Sequence, residues 1–296
     1  MVVPTRKLNT GNSIPILGLG VFQTPEHVAG PLVHKALDDG YRLFDSAAYY
    51  GNEADVCDGI GEWLQEDPAQ HKREDIFYTT KIADGHHGYE KSKKAIEDSL
   101  EKAKKIGYID LFLIHSPQSD YESRHGTWKA LQEAYESGKV RNIGVSNYGI
   151  KHLEELFAYP DLKVIPAVNQ VELHPWLMRD ELVDYCTKKG ITMEAFSPLT
   201  RGMWLNDPSL VKVAKKHGKN AGQVLINWSV SKGFIPLPKT ATESRLASNL
   251  DVLDFKLTEE DLEAIEHRGG YKVTWGFWDP TKYPLDSEKK EGEEKK

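Results

Sequence analysis

Cysteine is nearly absent from this chain of 296 residues, which holds only Cys57 and Cys186. Two thiols cannot build a disulfide framework, and they point to a reducing compartment. No apolar run approaches the length needed to cross a bilayer, so no membrane partner is expected. The opening stretch "MVVPTRKLNTG" lacks the apolar core of a signal peptide, and a cytoplasmic location is expected. A basic excess is also missing: 38 Lys and Arg stand against 45 Asp and Glu, a net charge of −7. That balance argues against a nucleic-acid partner, which needs a basic face. Several catalytic templates are absent. There is no Gly-x-Ser-x-Gly elbow. "GLGVFQ" lacks the third glycine of a dinucleotide fingerprint and precedes no suitable βαβ unit. "GHHG" at 85–88 aims its histidines apart, and no Cys or carboxylate pair completes a set, so no metal is expected. His174 reads as structural.

Alternation is what the chain has instead. "RKLNTGNSIPILGLG" opens with a β-hairpin signal around Thr10, Gly11 and Asn12. Eight strand-like runs follow: "ILGLG", "RLFDS", "IFYTTK", "DLFLIH", "RNIGVSN", "IPAVNQ", "ITMEAFS" and "FIPLPK". Helical patterns separate them at 26–39, 53–65, 90–106, 122–137, 150–158, 179–189, 208–232 (broken near Gly218) and 243–253. Thr258 ahead of three acidic residues opens an extra helix to about His267. Eight β/α units predict an α/β fold, a single (β/α)8 barrel with a C-terminal helix and loop. An open doubly wound sheet is the competing reading, since strand count does not prove closure. The barrel domain is expected to span 1–285. Residues 286–296, "DSEKKEGEEKK", carry charge and no apolar face, and are expected to be a disordered tail.

Strands two, three and four run apolar into Asp45, Lys81 and His115, with Tyr50 just after the first. The later strands end in Ser146 and Asn147, in Asn169 and Gln170, in Ser197, and in Lys239. A lone strand-end lysine can snorkel to water and a lone Asp can cap a helix. Repeated around one rim, where a barrel keeps its active site, these groups point to a shared site.

The segments "FDSAAYYGNE", "TTKI", "DLFLIHSP", "GKVRNIGVSN", "VNQVELHP", "FSPL" and "LPKTATESRLASNL" stand in the order and spacing of the aldo-keto reductase superfamily. The chain resembles its fungal and microbial NADPH-dependent carbonyl reductases from Arg6 to about His267. The resemblance implies a barrel that binds NADPH in an extended pose and reduces a small-molecule carbonyl to an alcohol. It implies that Asp45, Tyr50, Lys81 and His115 are the catalytic four, and that Ser146, Asn147 and Gln170 hold the nicotinamide carboxamide. Phe196 falls where the family usually stacks a tyrosine on the nicotinamide. Ser197 and Leu199 match positions beside the pyrophosphate. Lys239, Thr240 and Arg245 match the 2′-phosphate pocket, and Asn249 a position near the adenine. A monomer is expected, with a dimer as the alternative.

Hydride addition to a carbonyl puts negative charge on oxygen, so a proton donor and nearby positive groups are needed. Tyr50 is assigned as general acid. Lys81 is assigned as the cation expected to lower the tyrosine pKa, and Asp45 as the carboxylate that orients Lys81. His115 is assigned to orient the carbonyl oxygen. Some positions depart from the family. Phe196 loses a hydroxyl, and Ser248 replaces a glutamate often found near the adenine. Phe22, Ala83 and Ser116 stand where many relatives carry tryptophan, which implies a wider, more polar pocket. The loop "SPLTRGMWLNDPSL" is short. Trp204, Trp275, Phe277 and Trp278 are candidate aromatic walls, Trp204 being assigned to the substrate pocket. Two rival readings are a cofactor-binding regulatory protein on the same scaffold, like the potassium-channel β subunits, and a metal-dependent barrel hydrolase.

Overall fold

The structure, a computed structural model, describes residues 3–289. Two short strands, β1 (Thr5–Lys7) and β2 (Ser13–Pro15), pair antiparallel with Thr5 opposite Pro15. Gly11 at their turn has φ of 86°, a conformation glycine adopts without steric cost. Leu8 and Ile14 of this hairpin pack with Phe77, Leu111, Val168 and Ile235, closing the floor of the barrel.

Eight parallel strands follow in chain order: β3 (Leu19–Gly20), β4 (Leu43–Asp45), β5 (Phe77–Ile82), β6 (Leu111–Ile114), β7 (Ile143–Ser146), β8 (Val168–Glu172), β9 (Thr192–Phe196) and β10 (Ile235–Leu237). The ring closes where the Gly18 and Gly20 amides donate to Pro236 and Pro238 carbonyls, each at 3.1 Å. The sheet is therefore a barrel, and the open-sheet alternative falls.

The outer ring comprises α1 (Glu26–Asp39), α2 (Glu53–Glu66), α3 (Tyr89–Lys102), α4 (Tyr121–Glu136), α5 (Ile150–Phe157), α6 (Asp180–Lys188), α7 (Pro208–His217), α8 (Ala221–Ser231) and α9 (Leu246–Leu250). The expected break near Gly218 is real. Gly218 ends α7 with φ of 64°, and Asn220 opens α8 through a capping box with Gln223. Thr258 likewise caps α10 (Glu259–Ile265). Residues 271–283 then return to the barrel mouth. Within the segment expected to be a tail, residues 286–289 are helical. Asp286 accepts the free Tyr121 amide at the start of α4 (2.6 Å), and Glu288 pairs with Lys151 (2.6 Å). The remaining tail, 290–296, lies outside the described residues.

Strand alternation sorts side chains between two cores. Tyr78, Val145, Val171, Met193 and Ala195 face the helices. Leu43, Phe77, Leu111, Leu113, Val168 and Leu237 face the barrel axis. Residues two or four positions on from these inward side chains share their face. That parity sends Asp45, Lys81, His115, Gln170, Glu194 and Phe196 to the same interior.

Candidate active site

Lys81 is wholly buried. Its ammonium donates to both Asp45 carboxylate oxygens (2.7 and 2.9 Å), to the Ser46 carbonyl (2.8 Å) and to the Tyr50 hydroxyl (3.3 Å). Burial, the largest single influence, disfavours its charge. Asp45 and then Tyr50 overcome that, and the lysine pKa stands above its ordinary value. A tight polar nest thus explains a lysine at the end of an apolar strand.

Tyr50 ends a 3-10 turn, Ala48–Tyr50, that Gly51 closes with φ of 72°. Its pKa was expected to fall beside Lys81. Instead it is raised, because burial outweighs the lowering by Lys81, and Asp45 adds to the rise. The phenol therefore keeps its proton. His115 meets Tyr50 edge-on, ring centroids 5.7 Å apart. Burial first, then Lys81 and His87, push its pKa down to about 3, so the imidazole is neutral. The fold thus brings all four residues together, as a cation, its counter-ion, a protonated phenol and a neutral imidazole.

Beside them lies a polar cluster from β7 and β8. The Ser146 hydroxyl donates to the Gln170 carbonyl (2.8 Å), and the Asn147 amide donates to the His115 carbonyl (3.0 Å). Asn147 sits at φ of 62°, which turns its side chain back over the strand ends. Gln170 spends its amide nitrogen on Asp45 and Glu194, both at 2.8 Å. The side-chain carbonyls of Asn147 and Gln170 take no hydrogen bond among the described residues, so acceptors remain for a carboxamide. Phe196 is half-buried at the end of β9, and Ser197 turns the chain with φ of 49°. Leu199 packs on the helix–barrel core. Lys239 and Arg245 are exposed and have no carboxylate partner among the described residues. Partial burial lowers the Lys239 pKa. The Thr240 hydroxyl is held by the Thr242 backbone, and Asn249 is buried on α9. Unpaired cations at one end and free acceptors at the other fit a dinucleotide with an extra phosphate.

The pocket wall differs from expectation in two places. Ser116 is buried, and its hydroxyl donates to Asp84 (2.8 Å) rather than standing free. The Trp278 indole N–H donates to Gln118 (3.1 Å), so the C-terminal segment reaches the same wall. Trp204, assigned to the substrate pocket, stacks on Trp176 (5.1 Å) and meets His174 (5.5 Å). Trp275 meets Phe22 at 5.8 Å, and Phe22 lies 4.9 Å from Tyr50. Ala83 is half-buried at the end of β5 next to Asp84. Sequence reading missed Glu194 and Asp84. Glu194 was signalled by parity, two residues before Phe196 on an inward face, and Asp84 by its place beside Ala83. His174, read as structural, is buried and hydrogen-bonded to Glu172 (3.2 Å).

The aldo/keto reductase family profile matches residues 16–268. An uncharacterized oxidoreductase of Saccharomyces cerevisiae is 47% identical over 284 residues, covering 96% of this chain and 100% of the relative. The glyoxal reductase of Bacillus subtilis is 41% identical over 263 residues, covering 88% of this chain and 91% of that enzyme. Among solved structures, a Bombyx mori aldo-keto reductase in complex with NADP superposes with a TM-score of 0.81 at 33% identity, covering 90% of this chain and 92% of that one. With its closed barrel, its buried lysine nest and these relatives, the chain belongs to the aldo/keto reductase family of oxidoreductases.

Proposed function

We propose that this chain is an NADPH-dependent carbonyl reductase with Tyr50 as its general acid. NADP(H) is the cofactor of the family, and the Bombyx mori relative is described in complex with NADP. The observation that carries the reading is the buried Lys81 held between Asp45 and Tyr50. When bound, the cofactor supplies the hydride that adds to the carbonyl carbon. Tyr50 gives its proton to the carbonyl oxygen as charge develops there. Lys81 stabilises the phenolate left behind, and Asp45 keeps Lys81 aimed at it. Neutral His115 donates an N–H to the same oxygen and fixes the approach of the carbonyl. On the cofactor side, Ser146, Asn147 and Gln170 would hold the carboxamide, and Phe196 would offer its ring to the nicotinamide. Ser197 and Leu199 would serve the pyrophosphate, Asn249 the adenine, and Lys239, Thr240 and Arg245 the 2′-phosphate.

The substrate range is aldehydes and ketones, extending to 1,2-dicarbonyl compounds, α-keto esters and diketones. One feature supports it: the Bacillus subtilis relative is named a glyoxal reductase. Phe22 and the Trp275 ring bound the pocket on the Tyr50 side.

Tyr50→Phe tests the assignment. It removes the proton donor and keeps the ring. We expect kcat for a carbonyl panel read by NADPH consumption to fall by roughly two to four orders of magnitude, as for a lost general acid. NADPH binding, read by tryptophan quenching, should persist. A fall in kcat of less than about tenfold, ~1.4 kcal/mol, would remove Tyr50 from the role.

A further inference from the structure

Glu194 is fully buried on β9, opposite Gln170 on β8 and Ile235 on β10. One of its carboxyl oxygens accepts from the Gln170 amide nitrogen (2.8 Å). The other is buried with no hydrogen-bond partner. Among the described residues no cation lies within ion-pair distance of it. The same Gln170 nitrogen donates to Asp45 (2.8 Å), which already holds Lys81. Two carboxyl groups are thus strung on one amide, with one lysine between them and the phenol. A single Lys81 charge cannot compensate two buried carboxylates and a phenolate. Asp45 holds the lysine directly, so Glu194 is the group that keeps a proton.

We propose that Glu194 is a positioning residue of the catalytic group, carrying a proton while Gln170 spans it and Asp45, and that loss of this proton disturbs both Gln170 and the Asp45–Lys81–Tyr50 chain. The charged groups facing it are few. Asp45 on β4 opposes its ionisation and Lys81 on β5 favours it. Gln170 on β8 and Ile235 on β10 bring dipoles or hydrocarbon only. Glu172, also on β8, is engaged with His174 and the Thr274 amide. Burial first, then Asp45, push the Glu194 pKa up to about 8.

The consequence runs in one direction. Below that pH, neutral Glu194 leaves Lys81 with Asp45 as its one counter-ion, and Gln170 keeps its nitrogen inward and its carbonyl free. Above it, a second negative charge stands two hydrogen bonds from Lys81. That charge holds the phenol proton more firmly and pulls on the Gln170 amide. Reduction and cofactor binding should both weaken on the alkaline side. The effect on catalysis rests on the function proposed above; the protonation state does not.

The experiment has two arms, on wild type and on near-isosteric Glu194→Gln. Infrared difference titration of the apoprotein should show a protonated-carboxyl band lost with a midpoint near pH 8 and missing from Glu194→Gln. Asp110, raised by burial to about 6 beside Arg73, titrates well below it and serves as an internal contrast. The pH profile of kcat/KM for reduction, with NADP+ affinity read by quenching, should bend down near pH 8 in wild type. In Glu194→Gln that limb should vanish or move alkaline by about one unit or more. A wild-type apoprotein with no protonated-carboxyl band at neutral pH that Glu194→Gln removes overturns the proposal, whatever the enzyme reduces. So does an unchanged alkaline limb in Glu194→Gln. Failure of every carbonyl in the panel, with the infrared band intact, counts against the proposed function instead and leaves the protonation of Glu194 upheld.

Discussion

Single side chains in this barrel take their chemistry from neighbours far away in sequence. Lys81 is a cation only because Asp45, 36 positions earlier, offsets its burial. Tyr50 shows the opposite balance, since desolvation beats the lysine and the phenol stays protonated. That suits an acid that gives up its proton only to an oxygen becoming an alkoxide. At the other end of the proposed cofactor cleft, Lys239 and Arg245 have no carboxylate partner among the described residues, and so are free for a phosphate. Arginine binds phosphate as a fork and lysine as a point charge. We expect the double replacement by alanine to weaken NADPH by about 3 kcal/mol, roughly 100-fold, as two charge-assisted hydrogen bonds are lost. NADH, which lacks the 2′-phosphate, should change little. Equal weakening of the two cofactors in a binding titration would show that these cations do not read the phosphate.

At the scale of elements, the segment after α10 is held by polar contacts rather than by regular structure. Thr274 donates its amide to Glu172 (2.8 Å), Arg179 pairs with Asp279 (3.0 Å), and Trp278 donates to Gln118 (3.1 Å). Further on, His152 in the first turn of α5 accepts the Gly149 amide at Nδ1 (3.0 Å) and donates from Nε2 to the Tyr283 carbonyl (2.7 Å). This fixes a neutral tautomer. Burial lowers the His152 pKa to about 4 from 6.5, with the Tyr283 carbonyl working against the shift. Because the folded pKa is depressed, the unfolded chain binds the proton first. The contribution to stability is present above pH 6.5 and is lost as pH falls toward 4. His152→Ala should cost about 1–3 kcal/mol near neutral pH. Its deficit against wild type should shrink steadily as melts are taken from pH 7 to about 4. A deficit independent of pH would mean that the contact is packing alone.

For the whole molecule, closure of the ring is the step that creates a site at all. It depends on the β3 edge approaching β10 closely. A Cβ on Gly18 would stand 2.5 Å from Leu43 Cγ and 2.8 Å from Leu237 Cδ2, inside the filled barrel. Replacement by alanine overpacks this layer, and such changes cost typically ~1–3 kcal/mol. We expect Gly18→Ala to lower the urea midpoint with an unchanged slope. An unaltered midpoint would mean that the barrel interior yields more readily than close packing implies. Gly59 plays a similar part outside, where a Cβ would meet the Gly30 carbonyl at 2.3 Å between α1 and α2.

Much of this was legible in the chain. Apolar runs ending in Asp45, Lys81 and His115, helical patterns between them, and the start signal at Thr258 all follow from local backbone geometry, which each short segment carries by itself. Hence the eight β/α units and the break at Gly218 were read correctly. Closure was expected, but strand count alone could not prove it, because it depends on Gly18 and Gly20 finding Pro236 and Pro238 more than 200 residues on. The choice of tryptophan was not legible. Trp204 and Trp275 are equally aromatic, and only packing sends one to Trp176 and the other to Phe22. Ser116 looked like a free polar wall until Asp84 claimed its hydroxyl. The raised pKa of Tyr50 and the buried Glu194 behind Gln170 belong to the same class. Composition and order decide which groups a strand delivers to the barrel mouth. Desolvation and long-range contact, set only when the ring shuts, decide which of those groups carry charge and which carry a proton.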